Sequence, residues 1–350
     1  MSHHHWHGGA RQAASTEYVQ HIEALNKTIQ ANARELEAVR DLQLEGLKKM
    51  LQVGSLVAAS VAEGQKQLIA ARAAQYNAQD EVRAAAAARD TAQQARAAQQ
   101  EEGQRLQREV WAAENTIDVA ERLAAFIASP QAPGTDRFAL ALRFENGAPA
   151  RISRDAAGKL FYGAFRLPGE EMKQFLEFLV AGPEPALAQQ LTDAGGAKAA
   201  ETGADAFRRA WKSVSEIAVF QALQSEWIDQ SAYRPMIKRL NESARKRGFA
   251  GFAVETRSVA LQAVLWSVAL EFGPNTAVVA TAWAGIDPGA VADGMLICRV
   301  FAARRKSDKN EAEPEVTRNL LKARYQLEER EALRMLAAEA GSEPQRECPK

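Results

Sequence analysis

The first pattern along the chain is a seam of apolar residues. Tyr18, Ile22, Leu25, Ile29, Leu36 and Val39 recur at steps of four, three, four, seven and three. That spacing lines one stripe of a helix and predicts a coiled coil or a helix hairpin. Asn32 fills the one polar position of the seam, and two readings stand for it: a register-setting member, or a break. Ser15 or Thr16 can cap the helix, with Glu17 in its first turn. The phase slips near Gln43 and resumes at Leu44, Leu47 and Leu51, and Gly54 then predicts a turn. Residues 55–110 are rich in Ala, Gln, Arg and Glu, with strongly helix-forming runs such as Ala84–Ala88. Small side chains bury little area each, so this stretch needs a partner helix, either its own or another chain's. No proline interrupts residues 15–127. The segment 15–128 is therefore expected to be a long helical rod, serving as a spacer or as a delivery and oligomerisation module.

The pattern changes after Ile127. Pro130, Pro133 and Gly134 form a breaker cluster that marks a domain boundary, with a second domain over 135–340. An apolar run, Phe138 to Phe144, predicts a helix that ends at Glu145 before the stop signal Asn146-Gly147. A small hairpin lobe is expected within 147–166. Helices are expected near 169–181, 204–227, 231–247, 256–272, 275–284 and 311–340. Leu261, Val264, Leu265, Val268 and Ala269 mark the region 256–272 as a core helix, which Ser258 can cap. Trp266 on that helix reads as packing rather than sugar stacking. The fold class is thus mainly α, a helical rod or hairpin followed by an α+β domain with a small β lobe.

Composition sharpens the division. Nearly all aromatic residues lie after residue 110, so the two regions differ in kind. Lys plus Arg and Asp plus Glu are 44 each, and this balance gives no footprint for nucleic acid. Two cysteines, Cys298 and Cys348, are too few for a disulfide scaffold; a single disulfide between them is the lesser of two readings, and unpaired thiols the expected one. No run of apolar residues is long enough to span a bilayer, and no apolar signal segment opens the chain. Residues 1–14 hold the cluster His3-His4-His5-Trp6-His7. They read as a tag-like or disordered terminus, and residues 341–350 as a disordered tail.

The candidate chemistry centres on carboxylates. Glu145 closes a helix beside Leu142 and Phe144, where burial and the negative helix end both favour the protonated form. A protonated glutamate is what a glycosidase uses to donate to the leaving oxygen. Asp155 follows ten residues later on the hairpin and would supply the second carboxylate, as base or nucleophile. Tyr162, Gln224 and Tyr233 are polar groups in apolar surroundings that suit sugar binding by aromatic faces and aimed hydrogen bonds. Other chemistries find no support: there is no Gly-x-Ser-x-Gly, no zinc-type histidine spacing, and His21 is the one histidine after the first seven residues. No phosphate loop follows Gly195-Gly196. Neither a cofactor nor a metal is expected.

The order Phe144-Glu145-Asn146-Gly147, Phe161-Tyr162-Gly163-Ala164-Phe165-Arg166, Phe207-Arg-Arg-Ala-Trp211-Lys212, Tyr233-Arg-Pro235 and Arg257-Ser258-Val-Ala-Leu261-Gln262-x-Val-Leu-Trp266-Ser267 resembles a known family. It is similar to the peptidoglycan-degrading, lysozyme- and chitosanase-like domains at the C-termini of type VI secretion spike proteins. The resemblance covers about residues 135–340, and the Arg257 to Ser267 block is its most specific part. It implies a lysozyme-like fold and hydrolysis of glycan strands by Glu145 and Asp155. It also implies substrate contacts from Tyr162, Arg166, Gln224, Tyr233, Arg257 and Gln262. The family's Ser-Tyr-Gly is Phe161-Tyr162-Gly163 here, and its Gln is Arg166. Arg166 facing the cleft would pair with Glu145 or Asp155 and favour the anion. Two functions follow. One is a glycan-strand hydrolase, an antibacterial effector or phage-like lytic component. The other is an inactive lysozyme-fold adaptor of a secretion or phage-like assembly. Expected partners are peptidoglycan glycan strands, a secretion or phage apparatus docked through the N-terminal helices, and an immunity protein. Without a signal peptide, the chain would be made in the bacterial cytoplasm and act in the periplasm or cell wall after delivery.

Overall fold

The computed structural model describes residues 16–30, 44–87, 92–128, 132–145, 149–343 and 348, the side chains of 44–50 and 85–87 excepted. The histidine cluster, Asn32, Leu36 and Val39 lie outside the described residues. The fold is mainly helical, with one small three-stranded antiparallel sheet in the order β1-β2-β3. Two compact units divide the described residues. One comprises the described residues up to Ala128 together with Ser153–Phe161, the other the remaining described residues. Among the described residues, no helix is long and apolar enough to cross a membrane.

In the first unit, helix α1 spans 16–30, α2 Leu44–Ala87 and α3 Ala92–Ala128. The expected seam lies inward along α1: Tyr18 and Ile22 are half-buried, and Leu25 and Ile29 are buried. Helices α2 and α3 pack antiparallel. Gln75 meets Gln107, Arg72 meets Glu114, and Gly64 faces Ile117, so positions advance on one helix as they recede on the other. Leu68, Ala71, Val110, Ala113 and Ile117 form the apolar core between them, with Tyr18 against its edge. The partner helix that the alanine-rich stretch requires is thus supplied by the chain itself. Gly54 makes no turn. It lies inside α2, where a Cβ would fall 2.7 Å from the Ile29 side chain, so the glycine permits close approach of α1. Trp111 of α3 lies under Gly158, and Arg154 stacks over its ring at 5.1 Å.

In the second unit, α4 covers Ala139–Glu145. The strands are β1 (Ile152–Arg154), β2 (Leu160–Tyr162) and β3 (Leu167–Pro168), and the stretch Ser153–Phe161 belongs to the first unit. Nine or more residues of helix follow in most later elements: α5 (Met172–Ala181), α6 (Pro185–Asp193), the shorter α7 (Gly196–Thr202), α8 (Asp205–Ser215), α9 (Ala218–Ile228) and α10 (Arg234–Lys246). Then come α11 (Val259–Phe272), the short α12 (Val278–Ala282), α13 (Asp293–Arg305), the short α14 (Asp308–Glu311) and α15 (Glu315–Ala340). The helix expected over 204–227 is two helices, because Ile217 adopts an extended backbone between α8 and α9. That break sets Phe220 edge-on to Trp211 at 5.0 Å. Pro235 does not stop its helix. A π-turn over Asp229–Tyr233 precedes α10 and accommodates the missing N–H. The expected 311–340 helix is interrupted before Pro314, which caps α15. Helices α6, α7 and α13 fall where none is expected.

Two packed groups make this unit's core. Around α11, the residues Ala260, Leu261 and Ala263–Ala269 are buried all round, and α4, α13 and α15 pack on it. Ser258 Oγ accepts the Leu261 N–H at 3.1 Å and caps the helix, while Glu339 takes the N–H groups of Val259 and Ala260. The second group is aromatic: Tyr162, Phe175, Phe207, Trp211 and Phe220 meet at ring separations of 5.0 to 6.2 Å. Contrary to expectation, Cys298 and Cys348 are joined as a disulfide, which ties the C-terminal segment to α13. The reasoning from scaffold density concerns disulfide-rich folds and has no bearing on a single staple.

Candidate functional site

Glu145 is the last residue of α4 and is 5% exposed. Phe144 on one side is buried in the core. The Glu145 carboxyl lies 2.6 Å from Arg324 Nη1, its ion-pair partner. Arg324 belongs to a larger charge network. Its Nε donates to Glu328 at 3.3 Å, one turn along α15. Glu328 also accepts from Arg304 at 3.0 Å and from the Ser267 hydroxyl at 2.5 Å. Arg304 reaches on to Glu271 at 2.5 Å, and the Tyr325 hydroxyl donates to that same carboxylate. Lys309 Nζ donates to the Glu271 carbonyl oxygen at 2.6 Å.

Glu145, Glu271 and Glu328 thus share the buried cations Arg304 and Arg324, and the exposed Lys309 reaches the Glu271 backbone from outside. Isolated charges in such surroundings would be costly; paired and hydrogen-bonded ones persist. Burial pushes the Glu271 carboxyl up, but Arg304, Arg324 and Lys309 outweigh it and bring it down to about 2. Burial works against the charge on Arg324, yet Glu145, Glu328 and Glu271 hold it well above the ordinary arginine value. Lys309 moves the other way, lowered first by desolvation of its ammonium end. These contacts fix the Glu145 side chain at the end of α4 and couple it to α11, α13 and α15.

The other expected residues fall in several places. Asp155 sits at the hairpin turn of the first unit, where its Oδ1 accepts the N–H groups of Ala157 and Lys159 at 2.9 Å each. Tyr162 is wholly buried, and its hydroxyl donates to the Ala200 carbonyl at 2.6 Å. Arg166 is half-buried with a left-handed backbone, φ 53°, rare for a side chain of its size. Gln224 is 3% exposed, lies against Gly163, and its amide atoms find no hydrogen-bond partner among the described residues. Arg257 pairs with Asp293 and donates to the carbonyls of Pro288 and Val291, pinning the loop before α13. Tyr233 and Gln262 come together on the wall of one cavity beside Arg137. Trp266 is fully buried and donates to Asp229 at 3.1 Å, a packing role.

Sequence reasoning missed Arg304, Glu271, Glu328 and Asp229 as site-forming residues. The signal that could have found them is charge on helices otherwise lined by core residues, such as the four-residue spacing of Arg324 and Glu328 on α15.

The second unit is a helical domain organised around a buried network of acidic and basic side chains that ends at Glu145. Residues 152–329 match the family described as type VI secretion system spike protein VgrG3-like, C-terminal, and the chain belongs to this family. Its members are associated with the type VI secretion apparatus. Glu145 precedes the matched span, whereas Arg304, Arg324 and Glu328 lie within it. No curated protein matches the chain.

Proposed function

We propose that this chain hydrolyses the glycan strands of peptidoglycan, as a lysozyme-like effector carried by the type VI secretion apparatus. The observation that carries the reading is Glu145: a buried helix-end carboxylate, held at 2.6 Å by Arg324 in a domain of this family. In the mechanism, Glu145 acts as general acid toward the glycosidic oxygen. For this it takes up a proton from solvent before the bond is cut, gives it to the leaving oxygen as the glycosidic bond breaks, and is re-protonated from water. Asp155 serves as the second carboxylate, activating water or attacking the sugar directly. The coiled N-terminal helices serve as the docking or delivery module. The chain would be made in the cytoplasm and act in the periplasm or cell wall, with an immunity protein protecting the producer.

A second reading has its own observation. A carboxylate 5% exposed and engaged by an arginine is also what a structural ion pair looks like. In that case the domain is an adaptor that keeps the fold without the chemistry. Mass spectrometry of soluble products from purified sacculi separates the two. The hydrolase releases muropeptides with new reducing ends or their equivalents, whereas the adaptor releases none.

A further inference from the structure

The π-turn Asp229–Tyr233 and helix α10 border a cavity of about 650 Å³ that also reaches Arg137 and Gln262. This falls in the size range of small-ligand sites. Arg234, Lys238 and Arg245 lie four and seven residues apart, so they follow one another along a single face of α10. Arg137 adds a fourth cation from the segment before α4.

Beneath them sits Asp229, 2% exposed. Its carboxylate accepts Arg137 twice at 2.8 Å, Arg234 at 2.9 Å and the Trp266 indole at 3.1 Å. Two guanidinium groups are thereby clamped before any ligand arrives. The rings of Phe138 and Tyr233 flank Arg137 at 4.9 and 5.5 Å and stiffen it further. Lys238 and Arg245 have no ion pair among the described residues. Tyr233 is 5% exposed and its side chain lines the cavity wall. Two carboxylates share the wall. Glu255 is occupied by the Asn241 amide at 2.9 Å, while Glu242 has no ion pair among the described residues.

The wall therefore offers clamped guanidinium groups and exposed cations for carboxylates, a hydroxyl, and one unengaged carboxylate for an ammonium. We propose that this cavity binds a short peptide carrying several carboxylates and an amine, the chemistry of an uncrosslinked peptidoglycan stem. Its identification with the cell wall rests on the hydrolase reading. Guanidinium pairs recognise carboxylates by parallel hydrogen bonds, and groups already held in place lose little freedom on binding.

The test is calorimetric titration of the full chain with the soluble tripeptide L-alanyl-γ-D-glutamyl-meso-diaminopimelate. The same tripeptide ending in L-lysine, one carboxylate poorer, and inorganic phosphate serve as comparison probes. Saturable binding of the first, several-fold weaker binding of the second, and no displacement by equimolar phosphate are expected. Arg234→Glu with Lys238→Glu should weaken the first by about tenfold or more. Lys238→Gln with Arg245→Gln, which breaks no ion pair of the structure, should weaken it several-fold if the first variant does not fold. No binding at millimolar peptide, equal displacement by phosphate, or undiminished affinity in the folded variants would overturn the proposal. Stem binding by a chain that releases nothing from sacculi leaves the cavity assignment standing and removes the hydrolase. Cleavage of sacculi without stem binding does the reverse.

Discussion

Arg324 Nη1 lies 2.6 Å from Glu145 Oε1, joining the end of α4 to the middle of α15 across 179 residues of sequence. The same guanidinium holds Glu328, so one arginine orients two carboxylates. Arg324→Ala leaves both buried acids short of a partner, and breaking a buried pair in this way costs about 3–5 kcal/mol. Thermal and urea denaturation should show a loss of that order. Arg324→Lys should recover part of it, because an ammonium restores the charge but not the geometry of two bonds.

The acid limb of the stability curve should depend on Glu271. Burial opposes its ionisation, but Arg304, Arg324 and Lys309 hold its carboxyl at about 2, below its ordinary value of 4.5. A carboxylate held low when folded contributes stability above its unfolded value and loses it as pH falls toward the folded one. Glu271→Gln should therefore lower stability at neutral pH and flatten its decline between about pH 5 and 2. Urea midpoints at a series of pH values read this directly.

Asp229 holds Arg137, Arg234 and Trp266 together and is 2% exposed. Burial opposes its charge, and its arginine and indole hydrogen bonds prevail, lowering its carboxyl. Asp229→Ala removes the clamp and should cost about 3 kcal/mol. The indole of Trp266 then loses its acceptor, so near-ultraviolet circular dichroism of the folded variant should change as well.

Gly163 has φ +82°, and a Cβ there would fall 2.5 Å from Gln224 Oε1 and 3.0 Å from the Trp211 ring. Gly163→Ala meets both an unfavourable backbone and an occupied space, and should cost about 1–3 kcal/mol. Gly196, with φ +62° and open space around it, should lose less on the same substitution. Differential scanning calorimetry of the two variants tests the ordering.

The disulfide between Cys298 and Cys348 closes a loop of 50 residues. In the chain-entropy account a loop of that length is worth about 4 kcal/mol. Reduction with dithiothreitol, or Cys348→Ser, should lower the melting temperature by several degrees, and the two treatments should not add.

Local patterns were legible and distant pairings were not. The seam of Tyr18, Leu25 and Ile29 shows in the sequence because one helix face suffices to reveal it. The burial of α11 is equally plain from Leu261, Val264 and Val268. Gly54 reads as a turn until Ile29 is placed beside it, since what a glycine admits depends on another element. The helix expected over 231–247 is found from Arg234, and the π-turn before it is a local adjustment that spacing does not announce. Glu145 was visible as a helix-ending carboxylate beside Phe144, but its partner Arg324 was not. Asp229 pairs with Arg137 over 92 positions, and Ser267 with Glu328 over 61. Such contacts leave no periodic trace in a single chain.

The most direct test of the central claim is release of soluble muropeptides from purified peptidoglycan by the wild type and by Glu145→Gln, at matched folding by circular dichroism. The account predicts release by the wild type and a loss of about a thousandfold or more in the variant, as expected for removal of a general acid in a concerted site. No release by the folded wild type between about pH 4 and 8, or equal release by Glu145→Gln, would contradict it.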